Sequence, residues 1–513
     1  MQPPPLVFHP SIPPFVRYGM LCMIVVDISL FFSSHASMGA SVDLLLNVFG
    51  DHFRYNTIFP FGLGYSLVNL WKACAVTLVA FLATFSGGWV YLKLLLMSLL
   101  WCTPTTMLST TRRGKYFHYL DMFGKWSLLD LLVLTQSMVG FYVRIKHPQL
   151  EILPPDFYAL DLIVTPAYGL YSFSVAITLS LVLSHIQVVY HNKALAYDTQ
   201  ESTQPPTFSA TLPLDTIQDA YDLIPNHNST MHAEETQQLV AGQQKRLSLF
   251  QLSTKSNTKK ILLMLLPLIS LVFLCWGAVV PSWTFQVRGM VGIVAEFGEK
   301  GSTTHTYSFY SAIVQLVEQS RITTPALSAF GVLFIMFMYS AFSFIVPCLH
   351  LLAMFCLCVV PMKLSTMKAL HVFTHICSSF AAMEVWILAT VVTVLQIKFV
   401  SYSVLDAQCS ALLPTFNTLA NFGFIDQEDA NCFQIDGRFN WQGMLLLMVS
   451  VAVGYCSQLY IMRESEAVIQ CREMGKGSQE QNMDEKGTGE NNLFMPPSLL
   501  QQEHRSFDGS INY

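Results

Sequence analysis

Eight stretches of this chain are apolar for about 20 residues or more, the length an α-helix needs to cross roughly 30 Å of hydrocarbon. They lie near residues 16–34, 64–104, 125–145, 168–190, 260–281, 327–361, 378–400 and 441–462. A bilayer offers the backbone no water, so such runs must satisfy their own hydrogen bonds as helices. The fold class expected is an all-α integral membrane protein with eight transmembrane helices. The composition agrees: 52% of the residues are hydrophobic and only 12% are charged, against about 25% charged in soluble proteins. The net charge of −5 is small and spread over loops and tails, which argues against a nucleic-acid partner. The N-terminus, MQPPPLVFHPSIPPFVRYG, lacks the charged region and cleavage site of a signal peptide, so the first span is expected to direct its own insertion.

At 1.5 Å per residue the run 64–104 would extend about 60 Å; it is either one broken helix that projects from the bilayer or two spans. Arg112, Arg113 and Lys115 follow it, and Lys245, Arg246, Lys255, Lys259 and Lys260 follow the fourth run. One span per overlong run places these, Lys363 and Lys368 on a single side, as the positive-inside rule asks. Both termini are then cytosolic. Residues 191–258 are rich in Gln, Thr, Ser, Asn and His, a composition that buries too little surface to offset ordering entropy. The expected organisation is a Pro-rich tail (1–15), a four-span module (16–190), a flexible linker (191–258) with at best a short helix at 232–248, a second four-span module (259–464) and a disordered tail (465–513).

The two modules read as a tandem repeat. GKWSLLDLL at 124–132 matches SSFAAMEVW at 378–386, setting Trp126 over Phe380 and Asp130 over Glu384. TFSGGWVYLKLLLMSLLWCTP (84–104) lies over AFSFIVPCLHLLAMFCLCVVP (341–361), so that Phe85 faces Phe342 and Lys93 faces His350; YSLVNL (65–70) resembles YSAIVQ (310–315). An even number of spans per module makes the repeats parallel. Gly87 and Gly88 loosen one overlong helix and Pro347 removes a hydrogen bond from the other. Breaks at matching positions of two repeats mark either a binding site or a packing feature.

With these motifs the sequence resembles the paraquat-inducible protein A family of bacterial inner-membrane proteins, which includes the lipophilic-envelope-spanning A proteins. Trp126, Ser127 and Asp130 fit the family's aromatic-Ser-Met-x-acid-Val helix start, and Met383, Glu384 and Val385 fit it again; Trp89, Leu92, Lys93 and Leu94, with Pro347 and Leu349, resemble the preceding motif. The chain departs from the family in having no Cys-x-x-Cys pair, so no zinc ribbon carries over, and in its long linker. The resemblance implies lipid handling: a component that loads membrane lipids onto tunnel-forming proteins of the mammalian-cell-entry type. This chain has no tunnel domain, so a separate lipid-tunnel or acceptor protein is the partner implied.

The candidate lipid- or substrate-binding residues are Lys93, Trp126, Ser127, Asp130, His350 and Glu384. Intramembrane carboxylates are functional suspects by default, yet Asp130 and Glu384 fall about one turn inside their spans, where an acid at a helix N-terminus is also a good anchor. Lys93 either snorkels to the headgroups or pairs with Asp130 to hold an anionic headgroup. Lys72 reads as a snorkelling residue, and the role of Asp27 is open. His185 stands alone, and His371 and His375, though spaced i, i+4, have no acidic partner; no metal and no cofactor is expected. Cys409 and Cys432 share the last exterior loop and form a disulfide or remain free. The one glycosylation sequon, Asn228-Ser229-Thr230, falls in the linker and is expected to stay unmodified. No nucleophile constellation, phosphate loop or paired-carboxylate site is present, so an enzyme is not expected. The leading function is lipid transport or loading; the alternatives are a small-solute or ion transporter using the broken helices, and a non-transporting tetraspan-like scaffold.

Overall fold

The computed structural model describes residues 5–48, 51–62, 64, 67–68, 71, 76–104, 106–146, 158–203, 257–298, 303–322, 326–409, 413–423, 426 and 430–486. In the first half, α1 (Pro14–Ala36) begins with a proline, whose missing N–H costs nothing in a first turn. It is followed by β1 (Ala40–Val48) and β2 (Asp51–Phe61). A long helix comes next, built as α2 (Val76–Leu82), a π-helical segment (Ala83–Gly88) and α3 (Trp89–Cys102). Then come α4 (Thr110–Gly124), a 3₁₀ turn (Lys125–Leu128), α5 (Leu129–Gly140), β3 (Val143–Lys146), β4 (Tyr158–Pro166) and α6 (Tyr168–Thr203).

The second half of the chain also places two strands after its first helix, but with helices between and after them, and a single strand before its last helix. It runs α7 (Asn257–Val279), β5 (Trp283–Arg288), α8 (Met290–Gly298), β6 (Thr304–Tyr307), α9 (Phe309–Ile322) and α10 (Ala326–Ser340). A second π-helical segment (Ala341–Ile345) leads into α11 (Val346–Val359), α12 (Leu364–Phe380), α13 (Met383–Cys409), α14 (Leu413–Asn421), β7 (Gln434–Phe439) and α15 (Trp441–Lys486).

Among the described residues, seven helical stretches are long and apolar enough to cross a membrane: Pro14–Ala36, Val79–Cys102, Tyr168–Asp198, Ile261–Val279, Ala329–Val359, Leu364–Ser401 and Trp441–Arg472. They make this a helical, multi-pass membrane protein and coincide with seven of the eight expected runs. The eighth, 125–145, is different. Its helix α5 has 12 residues, about 18 Å, and the chain leaves it for strand β3. Leu131, Leu132, Val133, Thr135, Gln136, Met138 and Val139 are all buried, so the apolar sequence of α5 reflects a covering of protein on every side, as for any helix hydrophobic all round.

Among the described residues, two antiparallel sheets add to the helical class, with strand orders β2-β1-β4-β3 and β6-β5-β7. In each, the strand after the half's first helix pairs with a strand shortly before its last one. The β1–β4 register sets Val42 on Val164, Leu44 on Leu162 and Leu46 on Leu160, the cross-strand apolar pairs that stabilise a sheet. Buried Asp43 organises the β1–β2 hairpin at a register shift between Val42 and Leu44. It pairs with Arg54 at 2.6 Å, accepts the Thr165 hydroxyl at 2.9 Å and accepts the backbone N–H of Thr57 at 2.9 Å. That last bond holds Thr57 at a φ of 57°, a left-handed conformation costly for a β-branched residue.

Helix α6 runs through Thr203 and α15 through Lys486, so helix continues past the expected starts of the linker at 191 and the tail at 465. The helix expected at 232–248, Asn228, Lys72 and the end of the tail lie outside the described residues.

Candidate functional site

The expected helix breaks coincide with the two π-helical segments. Gly87 and Gly88 close the first, and Pro347 follows the second at the start of α11. A π turn inserts one residue into the helical ladder, a feature that recurs at functional sites. Both segments carry a buried serine, Ser86 in the first, beside Asp130, and Ser343 in the second, whose hydroxyl has no hydrogen-bond partner among the described residues. These serines are equivalent under the alignment that pairs Phe85 with Phe342.

The aromatic of each acid motif packs against its own π segment. Trp126 lies 5.9 Å from Phe85, and Phe380 stacks on Phe342 at 6.3 Å with 17° between the rings. The contact is thus made twice by matched residues. Gln136 and Thr390, also matched, meet each other: the Gln136 amide donates to the Thr390 hydroxyl at 2.9 Å. The two helices that the acids open, α5 and α13, pack on each other at the centre of the interface between halves.

Asp130 sits beside Ser86 and lines a cavity of about 120 Å³. Its walls are Phe59, Phe61, Leu82, Val133, Leu134, Leu170 and Phe173 from the first half and Gln396 and Val400 from the second, with Ser34, His35, Ser37 and Ser137 as polar groups. His35 Nδ1 is 2.9 Å from the Tyr91 hydroxyl. The cavity is largely apolar, with a single carboxylate in its wall, the composition of an organic-ligand pocket.

Lys93 does not pair with Asp130, nor does it snorkel. Its side chain is fully buried and its ammonium donates to the Ser180 carbonyl at 3.3 Å. The acids whose charge it faces are Asp121 and Asp27. The depth at which sequence places a lysine says nothing of which helices close over it, and here α6 does. Asp27 is fully buried with neither carboxylate oxygen hydrogen-bonded. Such a group is costly unless a charge opposes it, and Lys93 supplies that charge.

Glu384 joins the halves. It forms an ion pair with Lys125, the residue before Trp126, and accepts the Tyr455 hydroxyl at 2.6 Å. Lys125 also donates to Tyr455 at 3.0 Å and to the Ala381 carbonyl at 3.4 Å. Lys125, Glu384, Tyr455, His350 and Pro347 border a second cavity of about 60 Å³. The His350 Nδ1–H donates to the Thr374 carbonyl at 3.1 Å. Ser127 is buried and its hydroxyl has no partner. The sequence offered Lys125 no special standing; its place just before the aromatic of the motif was the available signal.

Asp121, on α4, was also passed over. Burial raises its pKa, but the nearby His185 ring, the Ser379 hydrogen bond and the charges of His185 and His375 outweigh that and hold the carboxyl below its ordinary range. Cys432 is disulfide-bonded; Cys409 ends α13, and its side chain lies outside the described residues. No family model, curated protein or solved structure matches the chain.

Proposed function

We propose that this protein handles membrane lipids, loading them for or passing them to a separate lipid-tunnel or acceptor protein, as its resemblance to the paraquat-inducible protein A family implies. In this reading the chain is two tandem four-span modules, with α5 and its 3₁₀ turn as the short third member of the first and both termini in the cytosol. The repeated π segments, the matched buried serines and the matched aromatic pairs Phe85–Trp126 and Phe342–Phe380 support the duplication. The observation that carries the lipid reading is the apolar cavity at the first π segment, with Asp130 in its wall. Apolar walls suit acyl chain, and a lone carboxylate suits an ammonium or hydroxyl of a headgroup.

Mass spectrometry of lipids that copurify with the detergent-solubilised full chain tests this. The wild type is expected to retain lipid in stoichiometric amount, and Asp130→Ala to lose it at least several-fold while eluting at the same volume. Absence of stoichiometric lipid from the wild type defeats the reading. A second reading, an ion or small-solute transporter, is favoured by the buried Asp27 and Lys93 in the membrane-crossing part. It predicts flux in proteoliposomes that Asp27→Asn abolishes and Asp130→Ala spares.

A further inference from the structure

The seam between the halves holds a cluster that the sequence reading set apart as a lone His185 and an unpartnered His375. Asp121 of α4, His185 of α6 and His375 of α12 each present a ligand atom within 4.8 Å of the others. His185 Nδ1 stands 3.7 Å from Asp121 Oδ2, and neither nitrogen of this mostly buried ring has a hydrogen bond. The carboxylate is itself oriented: the Ser379 hydroxyl donates to Oδ2 at 2.6 Å and the Ser184 hydroxyl to Oδ1 at 3.4 Å. Asp121 and His375 occupy equivalent positions of the two halves under the pairing of Asp130 with Glu384, so α4 and α12 bring the same turn of each module to one point.

We propose that Asp121, His185 and His375 bind a divalent transition-metal ion of the zinc class, bracing the first half against the second. Tetrahedral zinc holds nitrogen ligands at about 2.0–2.1 Å, which sets ligand atoms about 3.3 Å apart. The cluster reaches that when its ligand-atom separations shorten by up to about 1.5 Å. Two imidazoles and one carboxylate suit zinc, cobalt, iron or manganese and disfavour calcium and magnesium, which take oxygen. Three protein ligands leave a fourth position for water. Exposed His118, whose ring lies 5.8 Å from that of His375, marks the side from which an ion enters. The hydroxyls on Asp121 act as the outer shell that fixes a metal-binding carboxylate. Lys93 also faces Asp121, and its charge is shared with Asp27. The i, i+4 partner His371 is turned away, with Nδ1 2.8 Å from the Ser465 hydroxyl.

The test uses the full chain in detergent, stripped with chelator and then titrated with Zn²⁺ or Co²⁺. One ion per chain is expected by elemental analysis, with Co²⁺ giving visible absorption bands and Zn²⁺ raising the melting midpoint by several degrees. Asp121→Asn, His185→Ala and His375→Ala should each lose the bands and the shift, and His371→Ala should keep both. Absence of a bound ion in the wild type, retention by His185→Ala, or loss in His371→Ala overturns the proposal. Should the variants misfold, zinc-edge X-ray absorption on the wild type decides: scattering from two imidazoles supports the site, and an all-oxygen shell refutes it.

Discussion

Buried charge in this protein is held both in tight pairs, as at Asp43–Arg54 and Lys125–Glu384, and over distance, as between Asp27 and Lys93. Asp27 and Lys93 are each closed off from solvent, and each lies in a segment long and apolar enough to cross a membrane. Removing one partner of a buried charge pair costs several kcal/mol, because the other is left uncompensated. Lys93→Met is therefore expected to destabilise the protein by about 3 kcal/mol, and Asp27→Asn by less, since Asp121 still faces Lys93. A double-mutant cycle on melting midpoints in detergent should return a coupling of about 1–3 kcal/mol. Additive effects would show that the two do not interact. Asp27 and Lys93 stand out in the sequence as intramembrane charges, but their partnership crosses from α1 to α3 and no local spacing encodes it.

At the scale of elements, the helix from Val76 to Cys102 and that from Ala326 to Val359 each run on through a π turn. Gly87, Gly88 and Pro347 made that legible, because each weakens the ordinary ladder where it stands. The sheets were not anticipated by the all-α expectation, although WTFQVR of β5 alternates buried Trp283, Phe285 and Val287 with less buried neighbours, the period of a strand. What the sequence conceals is which helices touch. Gly331 of α10, in the second half, has no room for a side chain, since a Cβ there would collide with the ring and hydroxyl of Tyr171 on α6, in the first half. Overpacking of this kind costs about 1–3 kcal/mol. Gly331→Ala should lower the melting midpoint accordingly, and adding Tyr171→Phe, which removes the nearest atom, should recover part of the loss. A full-stability Gly331→Ala variant would mean that the helices part without cost.

At the scale of the whole molecule, the halves meet across α5 and α13, with the Gln136–Thr390 bond and the bridge from Lys125 to Glu384 and Tyr455. Aromatic contact continues to the sheet ends, where Phe141 lies 6.3 Å from Phe433. An interface of this extent should hold without a covalent link. Residues 1–203 and 257–513, co-expressed as separate chains, are expected to copurify at equal stoichiometry, and Lys125→Met with Glu384→Gln should weaken that association. Recovery of the halves only as separate species would count against the interface.

Legible from the order of residues alone are the membrane setting, seven crossing stretches, the recurring motifs and the places where two helices are interrupted. These are local properties, fixed by hydrophobic length, by backbone chemistry and by a pattern written twice along one chain. Tertiary structure alone decided that α5 is an interior helix, that Lys93 faces Asp27 and Asp121, that Glu384 reaches back to Lys125, and that His185 and His375 converge on Asp121. Each depends on which surfaces of distant segments close over one another, and apolar sequence reads alike whether lipid or protein covers it.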